Sequence, residues 1–187
     1  MKPNNDNDRA LEFLNNAFTQ VTNELHGESE RACAIIGGAF LDDLLGELLE
    51  IYLVQNHDAT QDLLSSENVN APLGSFGARI LTAYAIGLLP KDNWHAFQKV
   101  KKIRNRFAHD LNLSFDDSSI SKLCANLAPL TTNYFMGERT SREIYVNTVA
   151  FLSGGPQNSI YMTSNFGVKG SLGAVLRLAS RGRKTSG

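Results

Sequence analysis

Apolar residues recur at every third or fourth position through most of residues 1–153, a spacing typical of amphipathic helices. The pattern is widest in the segment 28–55, where apolar side chains cover about half of a helical wheel. An arc that wide predicts a central helix covered by several neighbours, because a surface helix needs only one apolar stripe. The chain is therefore predicted to be all-α, a single bundle of about six helices.

Start and stop residues place these six helices at about 6–26, 28–55, 75–87 and 90–110, one from Asp117 or Ser118, and one from Thr140. Thr140 and Glu143 match a capping box, while Gly87 and Pro90 fit a helix stop and the first position of the next helix. The polar segment 56–74 predicts a loop or lid.

The second predicted helix carries polar features on its wheel. Asp43, Glu47 and Glu50 fall together opposite the apolar arc and are expected to be solvated. Asp42 lies at the border of the arc, where a buried carboxylate would need a hydrogen-bond donor. The Gly37-Gly38 pair lies within the helix and is expected to permit close contact with another helix.

Composition changes after SGGP (153–156), which divides the chain into a helical domain, 1–153, and an extension, 154–187, rich in Gly and Ser. The extension is predicted to be irregular and partly disordered, with five basic residues and no acidic one: Lys169, Arg177, Arg181, Arg183 and Lys184. All 19 acidic residues precede it. An acidic body argues against a broad nucleic-acid-coating face.

Several function classes are disfavoured by what the sequence lacks. It has no apolar run long enough to span a membrane and no apolar segment near the N-terminus, so we expect a cytoplasmic protein. Cys33 and Cys124 lie far apart and are expected to be small core residues. The four histidines lack metal-ligand spacing, and no phosphate-binding glycine loop is present, so neither a metal nor a cofactor is expected.

The segment KKIRNRFAHD (101–110) contains the candidate site. On a helical wheel, Arg104 falls within the apolar arc, whereas Asn105 and His109 share the polar face with Lys102 and Arg106. Arg104 and His109 are about 140° apart on an ideal helix. They can meet at one ligand only if the arginine wraps round, the helix ends near Ala108, or a second chain supplies one of them.

Two interpretations of this segment remain open. In the structural one, Asp42, Arg79 and Arg104 are candidates for ion pairs, and the lysines are solvated. In the functional one, Lys101, Lys102 and Arg106 line an RNA-binding groove. Arg104 then holds a phosphate, and His109 moves a proton to or from a ribose hydroxyl without a metal.

A helix–turn–helix arrangement over AYAIGLLPKDNWHAFQKVKKIRNR is also conceivable. Its second helix is strongly apolar on one face and has a tryptophan near its start, which leaves little polar face for reading bases. Direct sequence-specific DNA binding is therefore disfavoured. The basic SRGRK tail could add affinity that does not depend on sequence.

The blocks LDDLLGELL (41–49), PLGSFGARILTAYAIGLL (72–89), IRNRFAH (103–109) and LSFDD (113–117) together resemble the mannitol operon repressor family. The resemblance covers roughly residues 25–130. It implies an all-helical regulator associated with transcriptional repression, acting through protein or RNA partners without a recognised DNA-reading motif.

The shorter run Arg104-Asn105-Arg-Phe-Ala-His109 is similar to the R-N-x-x-x-H signature of HEPN domains. These are small helical domains, often dimeric, and many are metal-independent ribonucleases, some toxin-like, while others are catalytically silent partners. The similarity implies that Arg104 and His109 are catalytic and that Asn105 supports them. We accordingly expect a homodimer, and the alternative to a regulator is a HEPN-type endoribonuclease.

Overall fold

The structure is a computed structural model that describes residues 19, 21–53, 57–133 and 137–154, and only the backbone of Ile51 and His57. These residues form helices and turns without any strand, so the predicted all-α class is confirmed. The helices are α1 (21–27), α2 (Glu30–Tyr52), α3 (His57–Leu64), α4 (Phe76–Ala85), α5 (Lys91–His109), α6 (Ser118–Ala125), α7 (Ala128–Thr131) and α8 (Ser141–Gly154). The beginning of the first predicted helix (6–18) and the extension with its basic residues (155–187) lie outside the described residues.

Helix α2 is the central element, as its wide apolar arc predicts. It contacts α3, α4, α5 and α8, and its leucines Leu41, Leu45 and Leu49 are fully buried. Burying three leucine side chains stabilises the fold by roughly 2 kcal/mol each before the entropy of ordering them is counted. The apolar stripe that the fourth predicted helix carries also enters this core through Phe97, Val100, Ile103 and Phe107.

Two adjacent glycines allow neighbouring helices to approach α2 closely, which confirms the expectation for this pair. A methyl group on Gly37 would lie 3.1 Å from the ring of Tyr145 on α8. One on Gly38 would lie 2.6 Å from Cγ of Arg104 on α5. The Tyr145 hydroxyl donates a 2.8 Å hydrogen bond to the carbonyl of Ala34, so this contact also satisfies a buried polar group.

The predicted helix boundaries agree closely with the structure, and the Thr140–Glu143 capping box forms as expected, whereas Asp117 precedes α6 without capping it through its side chain. Ser29 and Ser75 accept hydrogen bonds from backbone amides in the first turns of α2 and α4. Glu143 accepts a bond from the amide of Thr140, and its own amide donates to the Thr140 hydroxyl, which completes the capping box.

Gly87 ends α4 in a Schellman motif, with a φ of 79° that favours glycine. The Gly87 amide donates to Tyr84 and the Leu88 amide to Ala83. Pro90 is the N-cap of α5 rather than its first residue, a difference of one position.

Two sequence-based expectations are wrong. The segment 56–74 is not simply a loop or lid, because residues His57–Leu64 form α3. Glu47 is not solvated but only 3% exposed, since α3 packs beside α2 on the side where the carboxylates lie. Glu47, Thr60 and Arg79 line a cavity of about 430 Å³ between these helices and α4.

Among the described residues, no helix combines the length and the apolar character needed to cross a membrane.

Candidate nucleic-acid interface

A groove of about 880 Å³ runs between α5 and α6. One wall is α5, which contributes four cationic side chains: Lys99, Lys101, Lys102 and Arg106. The other wall comes from α6 and the segment before it and contains Leu113, Ser119 and Leu123. Among the described residues, Asp110 is the one acidic residue that lines the groove, so the local charge they give it is strongly positive although the whole chain is close to neutral.

Helical spacing places three of these cations in line with two histidines. His95, Lys99, Lys102, Arg106 and His109 follow one another at intervals of four, three, four and three residues, which places them on one face of α5. The opposite face is buried in the core. The stripe extends over about 21 Å, since fourteen residues rise by about 1.5 Å each.

The structure places Arg104 on the other side of α5, against α2. Its Cβ and Cγ lie over Gly38, where a side chain would collide with them. Arg104 does not line the groove, whereas Asn105 and His109 do. The predicted shared face of Asn105 and His109 therefore exists, and Arg104 diverges from it because α5 stays helical through His109.

Asn105 nevertheless links Arg104 to the groove. The Nη1 atom of Arg104 donates a 2.9 Å hydrogen bond to Oδ1 of Asn105. About a third of the Arg104 side chain is exposed, so its guanidinium group can still reach a ligand at the surface. The pair thus forms a continuous polar edge from the α2 side of α5 into the groove.

Asp42 is held mainly by Arg79 and only weakly by Arg104. Arg79 Nη1 lies 2.8 Å from Asp42 Oδ1, whereas Arg104 Nη2 lies 3.9 Å from Asp42 Oδ2. Burial raises the pKa of Asp42 above the usual aspartate value, and the Arg79 charge lowers it by less. The three predicted ion-pair residues therefore do meet, but Arg79 is the dominant partner and Arg104 keeps donors available.

Arg79 also fixes the segment that follows α3. Besides Asp42, its guanidinium group donates to the backbone carbonyls of Leu64 and Leu73 at 2.8 and 2.9 Å. Such forked donation suits arginine, whose planar group carries five N–H bonds. The segment 65–75 is thus tied to α4, which explains why it is not an open lid.

Glu30 and Arg31, at the start of α2, hold the connection between α5 and α6. Arg31 donates to the carbonyls of Ala108 at 3.2 Å and Asp110 at 3.4 Å, where the end of a helix leaves carbonyl groups without helical partners. Glu30 accepts a 3.1 Å bond from the amide of Phe115. We call these two residues the α2 clamp. Sequence reasoning missed it, because no local pattern connects residues more than 75 positions apart.

Three aromatic rings lie close together near the start of α5, and one of them, His95, lines the groove. Tyr84 on α4 stacks on Trp94 with ring centroids 4.5 Å apart, and the ring centroid of His95 lies 4.6 Å from that of Trp94, with the two rings tilted by 43°. His95 is exposed and lines the groove. The sequence places Trp94 in an apolar stripe, but it does not predict the contact between Trp94 and Tyr84, since Tyr84 belongs to another helix.

Neither of the two cysteines lines the groove. Cys33 and Cys124 are both fully buried, and burial raises their pKa values to about 11 and about 12. Thiols in that state are protonated at neutral pH and poor nucleophiles. The described part of the chain contains no cluster of three or more histidine, cysteine or acidic side chains that could hold a metal ion.

No protein-family model, curated protein or solved structure matches this chain.

Proposed function

We propose that this chain is a regulatory protein of the mannitol operon repressor type, acting through an RNA partner bound in the groove between α5 and α6. The cationic stripe on α5 carries this proposal. Three cations, Lys99, Lys102 and Arg106, share one face, and the described residues that line the groove include a single acidic one, Asp110. Such a surface attracts a polyanion, because cations that neutralise phosphates release the counterions of the nucleic acid.

Reading DNA bases with α5 is disfavoured by what its first turn contacts. A recognition helix normally contacts bases with residues at its N-terminal end. Here Asn93 is only 5% exposed, and Trp94 is stacked against Tyr84. The polar residues of α5 lie instead along its middle and its C-terminal half, facing α6.

Binding of fluorescent RNA, measured by anisotropy near physiological salt, tests the proposal. The double variant Lys102→Glu/Arg106→Glu is expected to weaken binding at least roughly tenfold, since two cations become anions within the groove. Lys91→Glu is the matched control, because Lys91 is exposed on the same helix but does not line the groove. Equal losses in both variants, or strong preference for one operator DNA at the same salt, would contradict the proposal.

The second candidate is a HEPN-type, metal-independent endoribonuclease. The observation favouring it is the hydrogen bond from Arg104 to Asn105, which borders the groove containing His109. In this reaction Arg104 would hold the phosphate through its free donors. His109 would take the proton from the attacking ribose hydroxyl, or deliver one to the leaving oxygen.

Incubation with RNA in EDTA tests this activity directly. Arg104→Ala and His109→Ala are expected to abolish cleavage, whereas His26→Ala should not, because this exposed histidine lies on α1, outside the groove. Cleavage that persists in both site variants excludes a HEPN-type site at Arg104 and His109. Absence of cleavage by the unaltered protein excludes the ribonuclease activity. Stable association with another chain without cleavage would instead indicate a catalytically silent partner, such as an antitoxin or scaffold.

A homodimer would resolve the divergence of Arg104 and His109, if each chain supplied one of them to a shared site. Mixing Arg104→Ala with His109→Ala protein should then restore activity to about a quarter of its original level, because half of the random dimers retain one intact site of two. A single-chain site would remain inactive in the mixture. Sedimentation that shows only monomer at micromolar concentration also counts against the dimer.

A further inference from the structure

We infer that the α5–α6 groove binds a single RNA strand, with a base on the His95 ring and phosphates on Lys99, Lys102 and Arg106. This inference rests on the proposed RNA binding and specifies the form of RNA that the groove accepts. It follows from the difference between the two walls and from the ring at the end of the stripe.

The cationic wall alone would suit either single or double strands. Lys99, Lys102 and Arg106 lie on one face, and about 10 Å separates the first from the last along the helix axis. Contacts of this kind position a nucleic acid but do not distinguish its strandedness.

The facing wall distinguishes the two forms. Leu113 and Leu123 offer apolar surface to whatever lies opposite the cations. In a duplex the base faces are stacked inside, and only charged backbone and base edges would meet these leucines. A single strand can turn its unstacked bases toward them while its phosphates remain on α5.

His95 supplies a stacking platform at one end of the groove. His95 is exposed, and its ring contacts that of Trp94 at a centroid distance of 4.6 Å, while Tyr84 stacks on Trp94. Histidine is among the rings on which unpaired bases stack, and stacking on an aromatic ring contributes affinity that tolerates different bases. Bases inside a duplex are already stacked on each other, so they could use this ring only after unpairing.

Intrinsic fluorescence provides the measurement, because Trp94 is the single tryptophan of the chain and touches His95. The full-length protein is titrated with a 12-nucleotide RNA of low self-complementarity, with the same RNA annealed to its complement, and at several salt concentrations. We expect tighter binding of the single strand, and a log–log salt slope of about −2 for three phosphate contacts.

Four variants separate charge from stacking. Lys102→Ala should reduce the magnitude of the salt slope by about 0.7, which is the share of one phosphate contact. His95→Gln should weaken single-strand binding without changing that slope, and His95→Phe should restore it, since phenylalanine keeps a ring. Lys91→Ala is expected to leave both quantities unchanged.

The outcomes distinguish this inference from the proposed function. Duplex bound as tightly as the single strand, or His95→Gln and His95→Phe binding alike, overturns the single-strand inference while RNA binding stands. Absence of binding to either form overturns both.

Discussion

At the scale of single residues, Arg79 determines which groups Arg104 can still bind. Arg79 pairs with Oδ1 of Asp42 at 2.8 Å, whereas Arg104 lies 3.9 Å from Oδ2 of the same carboxylate. Arg104 donates a hydrogen bond to Asn105 instead. An aspartate paired wholly with Arg104 would have favoured the structural interpretation of that arginine. At 3.9 Å from Asp42, Arg104 instead keeps donors for a ligand, as the functional interpretation requires.

Replacing Arg79 should be among the most damaging single changes in the chain. Arg79→Ala leaves the half-buried Asp42 without its main partner and frees the carbonyls of Leu64 and Leu73. We expect a loss of about 3–5 kcal/mol in the free energy of unfolding, measured by urea denaturation. Lys102→Ala, at an exposed groove position, should change it by less than about 0.5 kcal/mol. Comparable effects of the two variants would contradict this role of Arg79.

At the scale of elements, periodicity predicted the long helices well because each buries one regular apolar face. Helix α3 was missed since HDATQDLL has only two leucines, both at its end, and its helical state depends on packing against α2. The common face of Asn105 and His109 followed from their spacing on α5. The position of Arg104 did not, because it depends on Gly38 of another helix.

The α2 clamp should stabilise the last turn of α5, which carries Asn105 and His109. Arg31→Ala removes a cation and two donors from the carbonyls at this helix end, which should cost about 1 kcal/mol. We expect faster hydrogen exchange of amides 105–110, while Lys91→Ala, at the start of the same helix, should leave them unchanged. Unaltered exchange in the Arg31 variant would show that the core alone holds this turn.

The capping box of α8 should make stability depend on acid pH. Hydrogen bonds from the Thr140 amide and hydroxyl lower the pKa of Glu143 below its ordinary value of 4.5. A depressed carboxylate pKa stabilises the folded state above the unfolded value, and this contribution is lost as the pH falls through the folded value. Glu143→Gln should therefore destabilise the protein at neutral pH, and the difference should shrink below pH 4.5. Denaturation curves from pH 7 to 3 measure it; a difference independent of pH would contradict the charge-based explanation.

At the scale of the whole molecule, α2 and α6 each contribute one buried thiol, so cysteine reactivity reports how the fold opens. Cys33 belongs to the central helix, and Cys124 belongs to the helix that forms the apolar wall of the groove. Burial raises their pKa values to about 11 and about 12, so neither should react with iodoacetamide in the folded state. Labelling must await an opening that exposes the thiol.

The relative labelling rates of the two cysteines then reveal whether the groove is part of one cooperative unit. Equal rates, measured by mass spectrometry of the peptides containing each cysteine, are expected if α6 opens only with the core, since Cys124 and its neighbour Ile120 are fully buried. Faster labelling of Cys124 would mean that the apolar wall detaches from a folded α2–α5 core. If the groove stays intact until the whole bundle unfolds, its cations and its leucines keep constant positions relative to each other. Selective binding of a single strand requires such a preformed surface, because ordering the groove during binding would cost affinity.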